Sequence, residues 1–525
     1  MPTLNWIGKE KIISHHNEVP YSLLDKKYSF GDKNLNNMVI HGDNLYALKA
    51  LLPRYENAID CIYIDPPYNT GEEKWIYNDN VNDPRILKWL GEVVGKEGED
   101  LSRHDKWLCM MYPRLSLMKK LLSERGIIFI SIDDNEYVNL KMIMDEIFGK
   151  NNFCATYFWK RTETPPALSY KVRKKLEYVL CYQKSNIDKR KFAQGYTDGG
   201  DAPLLNNGNP EGELLFKKGT VHFNIPDGVY HNSSEMKIDL LENVVVENGI
   251  NKNDFKAKGH FKWGQDYLEN EMNNDGYIIV KSKQFSMRYQ KRDKSLKIPS
   301  NIIDSEVNVD TNETAKKELI ELGLDSEEFD YAKPVSLIKY LIKMPYFLEK
   351  DICVLDAFAG SGTTGHAVCE LNNEDNGNRK FIEIEMMDYA NTITAERLKK
   401  LKEKKHMDIN FSYYELGESI FDENNNINKN IPNQEVKKFI YYTETHKDIE
   451  NIADNSFYIG TNDETAYYIF YDKEKNICLN YELLSQIKIK SDYYVIYADS
   501  CTLSSNFLTS NHIIFKKIPR DIQKY

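Results

Sequence analysis

The stretch AIDCIYIDPPYNTG, residues 58–71, decides how the chain is read. Ile62, Tyr63 and Ile64 make an apolar run suited to a buried strand, and it leads directly into an acid, two prolines and an aromatic. A strand ending in Asp65-Pro66-Pro67-Tyr68 sets a carboxylate and the Pro66 carbonyl at the carboxyl edge of a sheet, where α/β folds bind ligands. Two acceptors converging on one point suit the two N–H donors of an exocyclic base amino group, whose lone pair is delocalised into the ring until those donors are held. Tyr68 offers a π face on which an extruded base can stack. Stripped of chemistry, the same residues would only stop a strand and cover a core edge.

Outward from this corner the pattern is βαβ. Residues 36–43 (NNMVIHGD) read as a short strand ending in an acid, followed by a helical NLYALKALLPRY and then the strand at 58–65. A helix is predicted over 106–125, stopping before Gly126, then a buried strand IIFISID and a helix NEYVNLKMIMDEIF. Such alternation predicts a parallel sheet covered on both faces. From about 160 to 325 the pattern turns irregular and rich in Asn, Gly and Asp, which reads as an insertion. Regularity returns with a helix at 334–345, a strand at 352–358, a helix from 363, a strand at 380–385 and a charged helix at 388–405. The Asn-rich 422–434 reads as a loop or linker. Beyond it KKFIYYTE, AYYIFYD, DYYVIYAD and HIIFKKIP are strand candidates of a small α+β domain.

A second ligand-type feature lies in LDAFAGSGTTG, residues 355–365, which follows a strand and opens a helix, so its backbone N–H groups face the space above the sheet edge. Gly360, Gly362 and Gly365 fit GxGxxG, and Glu385 ends the next strand, where a carboxylate can accept from ribose hydroxyls. Two cofactors fit. A dinucleotide would set its pyrophosphate on the glycines, whereas S-adenosylmethionine needs an acid near its amino group, which Asp356 supplies. A P-loop is excluded, because no GKT or GKS is present.

Bulk composition sets the outer limits. With 525 residues, 41% hydrophobic and 28% charged, the chain is long enough for two or three globular domains. Eight cysteines without a CxxC pair or zinc spacing indicate neither a disulfide framework nor a metal site. No signal-like segment and no apolar run of membrane length is seen, so a cytoplasmic location with no membrane partner is expected. A net charge of −11 argues against a uniformly basic nucleic-acid binder, but not against a local basic groove.

DPPYNTG and DAFAGSGTTG resemble the catalytic and S-adenosylmethionine motifs of the DNA amino-methyltransferases, and the catalytic motif coming first resembles their circularly permuted β class. VIHGDNLYALKALLP, FDYAKPVSLIKYLI, FIEIEMMDYANTITAERL, FSYYELG, YYVIYADSC and FKKIPRDI resemble the methylation subunit of type III restriction-modification systems. One departure is Glu383, where the family often has Gly. The resemblance implies a Rossmann-like methyltransferase domain in two parts, 1–184 and 326–405, around a target-recognition domain at 185–325, with a C-terminal α+β domain at 406–525 involved in dimerisation. It implies that Asp65 and Pro66 hold the target amino group and that Tyr68 stacks on the flipped base, with Pro67 completing the catalytic motif. Asp356, Phe358, Ala359, Gly360, Ser361 and Gly362 would line S-adenosyl-L-methionine, with Glu385 at its ribose, Asp43 near its adenine, and Asp65 and Lys333 completing the pocket. Lys333-Pro334 reads equally as a plain helix start.

Cytosine C5 methylation needs a Cys nucleophile, usually after Pro, and the chain has no Pro-Cys. Asp at position 65 resembles the adenine-N6 enzymes, with cytosine-N4 the alternative. Contact with double-stranded DNA is expected from 281–297, where Lys281, Lys283, Arg288, Lys291, Arg292, Lys294 and Lys297 stand against Asp293, with Phe285 and Tyr289 interleaved. A second basic stretch is 160–175. The expected protein is an adenine-specific DNA methyltransferase, homodimeric, and partnered by an ATP-dependent restriction subunit. Competing readings are a recognition module that delivers a nuclease with vestigial methylation, an RNA or protein-glutamine methyltransferase, and a dinucleotide oxidoreductase.

Overall fold

The computed structural model describes residues 3–31, 37–70, 102–165, 171–187, 190–197, 201–274, 276–290, 296–324, 332–422, 426–445, 447, 449, 452 and 456–522. They form two compact units, Met1–Lys191 with Ser300–Tyr525, and Phe192–Pro299.

The first unit is built on a ten-stranded sheet. In chain order its strands are β1 (Ser22–Phe30), β2 (Met38–His41), β3 (Ile59–Ile64), β4 (Leu122–Ile132), β5 (Phe153–Lys160), β6 (Leu176–Gln183), β7 (Ile302–Ile303), β8 (Cys353–Asp356), β9 (Lys380–Glu385) and β10 (Phe411–Ser419). Across the sheet they run β1-β10-β2-β9-β8-β3-β4-β6-β5-β7. From β10 to β4 every neighbouring pair is parallel. The pairs β1–β10, β4–β6 and β6–β5 are antiparallel, which corrects the all-parallel expectation. Antiparallel neighbours need no crossover helix, so flanking strands join without the strand-helix alternation on which that expectation rested.

Period-two burial holds the centre of the sheet on both faces. Ile62 and Ile64 pack in one core with Leu48 of helix α1 (Asn44–Tyr55) and Leu115 of helix α2 (Arg103–Leu121). Cys61 and Tyr63 alternate with them and are buried as well, so β3 is covered on its other face too. Helix α4 (Thr363–Asp375) packs between α3 (Val335–Lys343) and α5 (Thr394–Lys405). Helix α2 opens on a capping box of Ser102 and Asp105 but stops at Leu121, short of the predicted 125. The N–H groups of Asn57 and Ala58 take the Lys120 and Leu121 carbonyls, each at 3.0 Å, and these are the carbonyls a longer helix would use.

Two further expectations are corrected. KKFIYYTE lies inside a helix, Asn433–Thr445, because Val436, Ile440 and Tyr441 fall on one buried helical face despite their strand-like composition. The residues after 405 belong to the first unit. Strand β10 lies within the main sheet, and Ile440, Tyr467 and Tyr497 share a core with Leu48 and Leu115. A four-stranded sheet of Tyr458–Asn462, Thr465–Ile469, Tyr493–Ala498 and Ile513–Lys517 follows.

The second unit is rich in short strands around its own core, which includes Phe216, Phe255, Ile278 and Phe285. It is narrower than the expected 185–325. Residues 302–303 are β7, and the helix Asn312–Leu322 packs on α5. No helix among the described residues is long and apolar enough to cross a membrane.

Leu355 is fully buried on β8 opposite Ile62. Leu355→Ala is expected to destabilise the first unit by about 2–5 kcal/mol, read as a lower urea midpoint of its transition.

Candidate functional site

Strands β8 and β3 are neighbours, with Val354 opposite Cys61 and Leu355 opposite Ile62. The register sets Asp356, at the end of β8, and Asp65, just past β3, on the same carboxyl edge of the sheet, and their charges act on each other.

The Asp65–Tyr68 corner is held from three sides. Trp107 Nε1 on α2 donates to the Pro67 carbonyl at 2.7 Å. Asn69, with φ of 57°, donates to the Arg103 carbonyl at 3.2 Å and to the buried carboxylate of Glu136. Glu136 also lies 2.6 Å from His104 Nδ1 and accepts from Asn139 at 2.7 Å. Among the described residues the Pro66 carbonyl accepts no hydrogen bond.

Asp65 sits in a cluster of buried charge. Lys333 Nζ is 3.0 and 2.8 Å from its two oxygens, and the Tyr68 hydroxyl donates to Oδ1 at 2.9 Å. Glu177, at the start of β6, lies behind them. Its Oε2 is 3.1 Å from the Tyr68 hydroxyl, an alternative acceptor for that one proton, and 3.6 Å from Lys333, and its Oε1 accepts from Arg161 at 3.1 Å. Lys333 Nζ also stands 5.0 Å from the Tyr68 ring centroid and 5.7 Å from that of Trp159. Burial pushes the Asp65 carboxyl up, opposed by the Lys333 ammonium. Lys333, expected at the cofactor, is thus placed on Asp65.

On the glycine-loop side the acids are held by backbone and hydroxyl donors. Asp356 accepts from the Phe358 N–H at 2.9 Å and from Thr364 Oγ1 at 2.5 Å. Glu385 accepts from the N–H groups of Gly360 at 2.7 Å and Met387 at 2.9 Å. Gly360 and Gly362 adopt φ of 52° and 77°, which favours glycine, and Thr394 Oγ1 on α5 ties down the Gly360 carbonyl at 2.6 Å. Ala359 and Phe358 are in the loop, Ala359 bonded through its N–H to Ile384. Ser361 turns its hydroxyl to the buried Arg397 at 3.0 Å. Glu383 accepts from the Gly365 N–H at 2.7 Å, and a Cβ on Gly365 would come within 2.8 Å of its other oxygen. Asp43 caps α1 through the Leu45 N–H at 2.8 Å and pairs with the buried Arg114 at 2.9 Å, while Asn44 donates to the Ala357 carbonyl at 2.9 Å.

The arrangement can therefore accept hydrogen bonds from a neutral amine at one point and attract a cation at the next. Burial raises Asp356 and Glu385 to about 7 and Glu383 to about 8. Such a donor set fits S-adenosylmethionine, whose sulfonium and ammonium carry positive charge.

In the second unit Lys281 and Arg288 both pair with Asp201, at 2.5 and 2.9 Å. Lys283 and Lys297 are exposed, and Lys291, Arg292 and Lys294 lie outside the described residues. Phe285, read as interleaved with the basic residues, is fully buried in that unit's core, so only Tyr289 of the two aromatics is partly exposed. Tyr289 lies against Trp263, ring centroids 4.2 Å apart.

Sequence reasoning missed Glu177, Arg161, Glu136 and Trp107. The one available signal was an acid standing at the head of the apolar run in LEYVLCYQ.

Because Asp356, Glu383 and Glu385 titrate higher folded than in an unfolded chain, where carboxylates sit near 4, the folded state binds more protons between those values. Their contribution to stability is full below pH 4 and is lost as pH rises through 7–8. Glu383→Gln, neutral at every pH, is expected to raise the Tm most at pH 8.5, less at pH 6 and hardly at all below pH 4, measured by scanning fluorimetry.

Residues 59–396 match the family model described as DNA methylase, N6_N4_Mtase. The chain is 34% identical over 386 residues to the Type III restriction-modification enzyme StyLTI Mod subunit of Salmonella typhimurium, covering 67% of this chain and 52% of that one. It is 32% identical to the EcoPI Mod subunit of Escherichia phage P1, over 74% and 64% of the two chains. Identity is 30% to the EcoP15I Mod subunit of Escherichia coli, over 79% and 71%. The chain thus spans between about half and 71% of the length of these relatives. It belongs to the DNA methylase family, with type III Mod subunits among its relatives.

Proposed function

We propose that the protein transfers a methyl group from S-adenosyl-L-methionine to N6 of an adenine flipped out of duplex DNA, as the modification and specificity subunit of a type III restriction-modification system. The catalytic motif precedes the cofactor motif in the chain, the order of the permuted β class. What carries the reading is the pairing of β8 with β3, which sets the Asp356–Gly362 loop beside the Asp65–Tyr68 corner. Similarity to three Mod subunits supports the restriction-modification setting and an association with a restriction subunit. A homodimer is proposed from the resemblance.

The cofactor supplies a methyl on a positively charged sulfur. Asp356 and Glu385 attract that charge, Glu385 takes the ribose hydroxyls, and the positive-φ glycines let the backbone approach closely. Asp65 and the Pro66 carbonyl accept the two amino N–H groups and turn the nitrogen lone pair toward the methyl carbon. The amino nitrogen would take the methyl group as the methyl-sulfur bond broke, the bond electrons leaving with sulfur, and would release one proton to water. Tyr68 stacks on the base by the ring face that Lys333 does not cover. Lys281, Lys283, Arg288 and Lys297, with the undescribed Lys291, Arg292 and Lys294, give the second unit cations for the phosphate backbone.

Labelled S-adenosylmethionine and duplex DNA test the reading. Label in N6-methyladenine is expected, and Asp65→Ala should abolish it while DNA binding persists. Label in N4-methylcytosine, or binding without label, would replace the reading. Tyr68→Ala should cost about 1–3 kcal/mol of transition-state stabilisation, seen in kcat/KM for DNA. Unchanged kinetics would mean the ring does not meet the base.

A further inference from the structure

The Asp65 carboxylate is already engaged within the protein. Lys333 donates to both of its oxygens and Tyr68 to one, which fills most of the roughly four lone-pair positions a carboxylate offers. An ammonium at 2.8 Å also draws electron density from the acceptor that must hold the base amine, and it repels the positive charge that builds on the attacking nitrogen. Asp65 beside Lys333 alone would be a neutral pair, poorly suited to both tasks.

Glu177 changes that balance. Its side chain is 4% exposed, as is that of Lys333, so their interaction is little screened by solvent. The same oxygen, Oε2, faces both groups that occupy Asp65, the Tyr68 hydroxyl at 3.1 Å and Lys333 Nζ at 3.6 Å. Each has a second acceptor close by, within hydrogen-bond range for Tyr68 and 3.6 Å away for Lys333, which would exchange its two contacts on Asp65 for one on Glu177. Arg161, on the far oxygen, keeps the Glu177 carboxylate oriented.

We propose that Glu177 is a positioning residue for methyl transfer: it takes up Lys333 and the Tyr68 hydroxyl when the target base enters, leaving the Asp65 carboxylate open to the base amine and its charge uncancelled. The inference rests on the methyltransferase reading above and names a device within the same site. Glu177 does not touch the reacting atoms; it acts through Lys333 and Tyr68.

The test uses the full chain, labelled S-adenosylmethionine and a duplex carrying the recognition site. Glu177→Gln should lower kcat by at least about tenfold, with cofactor affinity and KM for DNA within about twofold of wild type. Glu177→Asp keeps the charge but withdraws the oxygens by one methylene, so it should fold and recover part of the lost kcat. Glu177→Gln combined with Lys333→Met removes the cation that Glu177 offsets, and kcat should rise above that of Glu177→Gln alone. The inference is overturned if Glu177→Gln keeps wild-type kcat, if Glu177→Asp is fully active, or if the double variant is no better than the single one. It is overturned equally if kcat and cofactor affinity fall together, the mark of a merely structural role. Wild-type protein that labels no DNA amine would remove the methyltransferase reading itself, an outcome distinct from all of these.

Discussion

Everything at the site depends on one parallel strand pairing. Cys61 and Ile62 lie against Val354 and Leu355 at the centre of the sheet, where both faces are buried. Side chains alternate along a strand, so slipping the register by one residue would turn a fully packed set of apolar groups toward the wrong face. That constraint brings the loop after β8 and the corner after β3 to one edge, although most of the chain separates them. Further ties lock the edge. Asn44 at the start of α1 bonds the Ala357 carbonyl, and Trp107 on α2 bonds that of Pro67, so the two helices that cover one face also reach into the two turns.

The edge is electrostatically divided. Around Asp65 the carboxylates of Asp65 and Glu177 are met by the cations of Lys333 and Arg161. Around Asp356, Glu383 and Glu385 the donors are mostly N–H groups and a hydroxyl, and the acids lift one another's proton affinity. A buried carboxylate with dipoles alone for partners favours its neutral form until a cation arrives. The first half pairs its acids with fixed cations, and the second leaves its acids for a cation still to come.

The elements most legible in the sequence were those whose signal is contiguous. β3, β8 and β9 are short apolar runs that end at an acid or a glycine loop, and the structure has strands there. Strand β1 escaped notice because SLLDKKYSF has no fully buried residue and lacks a clean period. KKFIYYTE misled because aromatic and β-branched residues suit both a strand and one side of a helix, and tertiary packing decided for the helix. At the site, Asp65 and Glu385 stand in readable strings. Glu177 and Lys333 reach Asp65 from distant elements, and no local pattern encodes a side chain that arrives across the fold. The same holds for Glu136 beneath Asn69.

Strand β10 carries a consequence for biogenesis. It lies between β1 and β2, pairing with Tyr28 on one side through Tyr413 and with Ile40 on the other through Tyr414. While a ribosome is still making the central portion of the polypeptide, the segment around Tyr28 has no neighbour to zip onto and β2 remains a bare border. Completion of the sheet thus waits on a late-synthesised piece sliding into a slot between two early ones, so nascent chains halted before Phe411 should display an open ladder inviting chaperone capture or mispairing.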